Sequence, residues 1–211
     1  KINGIDEDDI SHHNGGTASL YTSKNGDTWV HFVGMVATGG AGPGRNYTTA
    51  LKTGGTLWSW GNSDNGCGGR GTTTDVSSPV QIGSLTDWFD GEQSYENMKR
   101  VSNGNKSSFV IKSDGTLWAW GDNAEGQLGT SNLTSYSSPV QVGSNSNWNM
   151  VEGAHGGTAG AINNDGELYT WGLGSSGQRM DGATGQTSVP AQVGSSTNWT
   201  WWSSKANSTA A

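Results

Sequence analysis

Proline is scarce in this chain (4 of 211 residues), cysteine is reduced to one, and only 14% of residues are charged. A lone cysteine, Cys67, excludes an internal disulfide, so packing and hydrogen bonds must hold the fold. No apolar run reaches the ~18 residues that a membrane helix needs, and no basic-then-apolar leader stands at the start, so no membrane insertion is expected. Positive charge is also short. The net charge of -7 repels phosphate backbones, and nucleic acid is not expected as a partner. Lys1 stands first in place of Met, as in a processed or excised piece of a longer chain.

Glycine (35) and tryptophan (11) are what the chain has instead. That is too aromatic for disorder and too rich in Gly, Ser, Thr and Asn for helices, which leaves a turn-dense all-β architecture. Three blocks repeat from Leu51, Ile111 and Ile162. The middle one reads IKSDGTLWAWGDNAEGQLGTSNLTSYSSPVQVGSNSNW. The second core tryptophan and the closing tryptophan are 28 residues apart in every block: Trp60 to Trp88, Trp120 to Trp148, Trp171 to Trp199. The step to the next block varies, 32 residues from Trp88 to Trp120 but 23 from Trp148 to Trp171. The extra residues fall in FDGEQSYENMKR, Phe89 to Arg100, and an insertion confined to one place maps to a loop on one face.

Each block opens on a hairpin signal, Gly54-Gly55, Asp114-Gly115 or Asp165-Gly166, read as a two-residue type I′ turn. In the strand that follows, Leu117 alternates with Trp118 and Trp120, as Leu57 does with Trp58 and Trp60. Pro79, Pro139 and Pro190 each precede a β segment, which suits a strand's first residue or an edge.

The run from Gly121 to Gly129 (GDNAEGQLG), preceded by GTLWAW and followed by SPVQV, resembles the regulator-of-chromosome-condensation (RCC1) repeat. The resemblance covers residues 36–211 and decays in the outer blocks, where Cys67-Gly68 and Arg179-Met180 replace all or part of the Gln-Leu pair. It implies a β-propeller. The family closes a ring of about seven blades, whereas the blades here are expected at 36–88, 101–148 and 151–199, with a partial one at 200–211. Residues 17–35 hold an Asn-Gly hairpin, Leu20 to Val30 with Trp29, ahead of which lies a connector, 1–16. Either that hairpin or neighbouring chains would complete the sheet, because an exposed strand edge invites pairing.

Candidate sites are few. His12 and His13 are adjacent without a third ligand, and Asp6-Glu7-Asp8-Asp9 and Asn62 to Gly66 lack the spacing of a calcium loop, so no metal and no cofactor are expected. No nucleophile-base ordering, phosphate-cradling loop or paired carboxylates emerge, and the chain is read as not an enzyme. Tryptophans recurring in register are assigned to packing between blades. Trp201 and Trp202 are read as unmatched, with Phe89-Asp90 and Asn149-Met150 in those places, and so as a contact surface. The expected partner-binding residues are therefore Asp90, Glu92, Tyr95, Glu96, Lys99, Arg100, Trp201 and Trp202.

Lys1 to Gly15 (KINGIDEDDISHHNG) resembles the short connectors, opening on KING and Ile or Val, ahead of terminal modules in virion proteins of tailed phages. With the low-charge, Asn/Ser/Thr-rich repeats, it implies a structural or host-attachment part of a phage particle: fibre, spike or capsid decoration, virion-borne and extracellular. Its partners would be other virion chains or a host surface receptor, and the chain a homo-oligomer. The family resemblance itself implies two other roles, regulation of a small GTPase and capping of an enzyme's active site.

Overall fold

The structure is a computed structural model that describes residues 36–39, 46–52, 54–89, 100–153 and 156–203. The connector (1–16) and the hairpin (17–35) of the sequence reading lie outside the described residues, as does most of 200–211.

Among the described residues, twelve strands form three four-stranded antiparallel sheets, each a meander in chain order. Blade 1 holds β1 (Val36–Gly39), β2 (Tyr47–Leu51), β3 (Leu57–Gly61) and β4 (Val76–Gln81). Blade 2 holds β5 (Val101–Asn103), β6 (Ser107–Ile111), β7 (Leu117–Gly121) and β8 (Tyr136–Gln141). Blade 3 holds β9 (Trp148–Gly153), β10 (Thr158–Asn163), β11 (Leu168–Gly172) and β12 (Thr187–Gln192). The first strands of neighbouring blades touch one another, β1 with β5 and β5 with β9, while the last strands β4, β8 and β12 are exposed or half-buried. This is the radial arrangement of a propeller, innermost strand first. Three blades make part of a ring, as the block count implied.

Strand alternation explains why the blades stack. In β7, Leu117 and Ala119 face blade 3 and join a core with Phe109, Ile111, Val142, Trp148 and Trp171. The residues between them face blade 1: Trp120, with Trp118 beside it, joins a core with Leu51, Leu57, Ile82, Trp88, Val101 and Val110. Both faces of the middle sheet are thus buried, each against a different neighbour. Stability then grows from blade-to-blade contacts, as in other repeat arrays.

Two local expectations are corrected. Lys112 N–H donates to Thr116 O (2.9 Å) and Gly115 N–H to Lys112 O (3.0 Å), so the connection is three residues long, 113–115. Gly115 has a positive φ (+80°) but Asp114 does not, whereas a two-residue type I′ turn needs it at both. The proline strands also begin earlier than a first-residue proline would place them: Pro79, Pro139 and Pro190 sit inside β4, β8 and β12, the edge strands that were the other expectation. They are tolerated because these are outer edge strands, where one side of the ladder needs no donor.

Candidate partner-binding surface

Most of the tryptophans are consumed by the fold. In each blade the ladder between the third and fourth strands shifts register, so that Trp60, Trp120 or Trp171 stands against three residues of the outer strand, 77–79, 137–139 or 188–190. Such a bulge re-aims a side chain. Trp120 Nε1–H crosses to blade 1 and donates to Cys67 O (2.9 Å); Trp171 Nε1–H crosses to blade 2 and donates to Gln127 O (2.8 Å). At the other end of the same interfaces, Trp88 meets Trp118 edge to face (5.6 Å), and Trp148 meets Tyr169 likewise (5.2 Å). Lys112 is buried between Trp88 and Trp118, 5.5 and 5.6 Å from their ring centres, with its Nζ 2.5 Å from an Asp87 carboxylate oxygen. A charge so placed is compensated by its ion pair and two ring faces, which makes it a part of the interface.

The loops between third and fourth strands show why the repeat motif decays without loss of fold. Leu128 is fully buried beneath this loop in blade 2, and Asn123 ties the loop down, its Nδ2 donating to Asn132 O and Thr134 O. Blade 1 has Gly68 at the leucine position. The Arg70 guanidinium fills that room and donates to Ser59 Oγ (2.7 Å) and Thr74 O (2.8 Å). Blade 3 puts Arg179 there, buried and paired with Asp181 (3.1 Å). One space is filled by three chemistries.

Cys67 lies under the first loop, fully buried, and its thiol is pushed up to about 12, first by burial and then by the Asp64 carboxylate. The thiolate is the reactive form, so the native thiol is inert. At pH 8, iodoacetamide is expected to leave Cys67 unmodified in the native chain and to alkylate it fully in denaturant, as read by mass spectrometry. Burial also holds the Glu152 carboxyl above its ordinary range, opposed by a hydrogen bond from Ser102 Oγ (3.4 Å). Ser102 Oγ in turn accepts from Gly153 N–H (3.0 Å), so this pair stitches the inner strands of blades 2 and 3. Among the described residues no cluster of three His, Cys, Asp or Glu side chains could hold a metal, and no helix is long and apolar enough to cross a membrane.

Of the expected partner-binding residues, Asp90, Glu92, Tyr95, Glu96 and Lys99 lie outside the described residues. The described ends of that insertion are built into the fold: Phe89 is buried in the core between blades 1 and 2, and Arg100 O accepts from Ile111 N–H (2.8 Å). Arg100 itself is half-buried, with Nη1 donating to Lys112 O (3.5 Å), so it anchors the strand beside the loop. Trp201 is 61% exposed, and among the described residues it is the tryptophan whose ring faces solvent. Trp201 follows the outermost strand of blade 3, as Phe89 follows that of blade 1.

Trp202 corrects the sequence reading. It is 6% exposed and packs with Met150, Ile162, Leu168 and Val193, so its ring offers nothing to a partner. Trp202 follows Trp199 by three residues, as Val151 follows Trp148, and Val151 is likewise buried between blades. Trp201 therefore matches Met150, and the two were never unmatched. The signal was present in the sequence, because Val101, Val151 and Trp202 each open the segment ahead of a blade's first turn.

A family model described as "Regulator of chromosome condensation (RCC1) repeat" matches residues 54–111 and 114–160, and a second of the same description matches 99–127. The chain is similar to the X-linked retinitis pigmentosa GTPase regulator of Canis lupus familiaris, at 35% identity over 99 residues, 47% of this chain and 9% of that protein. It is similar at 31% identity to the mitochondrial RCC1 domain-containing protein RUG3 of Arabidopsis thaliana, over 60% of this chain and 27% of that one. Among solved structures it resembles Prp20p of Saccharomyces cerevisiae, described with that protein's binding to Gsp1p and histones. The TM-score is 0.58 at 19% identity, over 71% of this chain and 36% of that one. The chain thus spans well under half the length of these relatives.

Proposed function

The chain belongs to the regulator-of-chromosome-condensation (RCC1) repeat family, and from that membership we propose that it is a non-enzymatic protein-interaction module, carried as a structural or host-attachment part of a tailed phage particle. The observation that carries the reading is Trp201. The other described tryptophans are buried or half-buried, while this one stands 61% exposed just after the outer strand of blade 3. Exposed aromatics are the commonest energetic anchors of protein interfaces. The low charge, the KINGI connector and the Asn/Ser/Thr-rich repeats support a virion-borne, extracellular setting, with other virion chains or a host surface receptor as partner and a homo-oligomer as the working form.

Trp201→Ala is expected to weaken adsorption of the labelled chain to host cells by about 30-fold, the cost of losing an anchor worth about 2 kcal/mol. Deleting residues 90–99 while keeping Phe89 and Arg100 should abolish adsorption. Circular dichroism should be unchanged in both variants. Adsorption at the level of the unaltered chain in both would remove the attachment reading.

A second reading, regulation of a small GTPase, is favoured by the 35% identity to a protein named as a GTPase regulator. On that reading the purified chain accelerates nucleotide release from a small GTPase, and Trp201→Ala leaves adsorption untouched.

A further inference from the structure

Each of the first two blades presents a glycine to the tryptophan of the next. A Cβ on Gly69 would lie 2.6 Å from Nε1 of Trp120, and one on Gly129 would lie 2.9 Å from Nε1 of Trp171. Neither leaves room for a side chain. The third blade has Met180 at this position, with φ at +58° and 46% of the residue exposed. That backbone conformation is costly for any residue with a Cβ.

The other end of the same side of blade 3 differs as well. In β6, Phe109 reaches toward the following blade and meets the Trp171 ring edge to face at 6.3 Å. The corresponding residue of β10 is Gly160. The Trp202 ring lies over it, with two ring carbons 3.0 Å from where a Cβ would be. Trp202, with the half-buried Trp199 beside it, thus covers Met150, Ile162, Leu168 and Val193, which in the inner interfaces would be covered by a whole neighbouring blade.

We infer that the forward side of the third blade is closed by its own residues against a further blade of this type, whether supplied by the same chain or by a second copy. Met180 blocks the seat of the incoming tryptophan, and Trp202 on Gly160 replaces the contact that Phe109 makes with Trp171. A partner that completes the array at this side must have some other architecture, and copies of the chain do not stack blade to blade through it. This goes beyond the proposed attachment role and does not depend on Trp201.

The test continues the chain from Trp202 with a second copy of residues 152–211, which puts Trp202 at the place of Val151 in an added blade. In this background the added blade is expected to be cut by protease as fast as an unfolded segment. With Met180→Gly and Gly160→Phe, which give blade 3 the forward residues of blade 2, and Trp202→Val, which gives the added blade the residue at the Val151 place, cleavage within the added blade should slow at least about tenfold. Protection of the added blade without these substitutions overturns the inference. Equal, rapid cleavage in both backgrounds overturns the assignment of the closure to these three residues. In the unextended chain, Trp202→Ala should speed hydrogen exchange of the β10 and β11 amides about tenfold while leaving β2 and β3 unchanged. Unaltered exchange in β10 and β11 would equally overturn it.

Discussion

Trp120→Ala is expected to cost about 4 kcal/mol of stability, read as a shift in the midpoint of denaturant unfolding. The ring is fully buried in the core between blades 1 and 2, and its Nε1–H donates to Cys67 O, which also accepts from Ser108 Oγ (3.1 Å). Truncation acts twice: a cavity opens and a buried acceptor loses one of its two donors. Trp120→Phe separates the two, because it keeps most of the area and loses the hydrogen bond. Its expected cost is about 2 kcal/mol. Because a propeller fragment is held together by blade-to-blade contacts, the alanine variant should also lose cooperativity, blade 1 unfolding ahead of blades 2 and 3. That would appear as earlier exchange of β2 and β3 amides than of β10 and β11. A single transition within about 1 kcal/mol of the unaltered chain would show that this ring does not couple the blades.

The repeat was legible because each blade is one meander and cannot bury its faces alone, so its residues had to recur in register. The constant step of 28 residues from Trp60 to Trp88 and its two copies is the length from the register shift opposite a third strand's tryptophan, through its loop and outer strand, back to the next interface. The chemistry within the blades was less legible. Asp114-Gly115 is compatible with a two-residue turn and with the three-residue connection that forms, and the choice lies in the φ of Asp114, which the residue type does not fix. Leu128, Arg70 and Arg179 fill one space beneath the loop, so a motif written as residue types is lost where the packing is preserved. Trp202 was misread for the same reason. Its position matches Val151 while its size does not, and the difference in volume is taken up by Gly160 in β10.

Gly129→Met should be as damaging as Trp120→Ala, even though the third blade carries a methionine at the equivalent position without harm. At Gly129 two costs add. A residue with a Cβ at φ +72° pays about 1–2 kcal/mol, and the Cβ would lie 2.9 Å from Trp171 Nε1 and 3.1 Å from Val142 Cγ1, both parts of the same core. Trp171 is fixed by its bond to Gln127 O and by Phe109 against its edge, so it cannot retreat without giving up both. Overpacking of this kind costs a further 1–3 kcal/mol or so, giving about 2–5 in all. At Met180 only the backbone cost applies, because its side chain faces solvent. The reciprocal change, Met180→Gly, should therefore stabilise the chain by about 1 kcal/mol, the conformational cost relieved, less the entropy that glycine adds to the unfolded state. Measured together by thermal unfolding, the two substitutions are expected to have opposite signs. If Gly129→Met were neutral, the incoming tryptophan would have no need of a glycine seat. If Met180→Gly were strongly destabilising, the methionine would be packed against something that its exposure does not reveal.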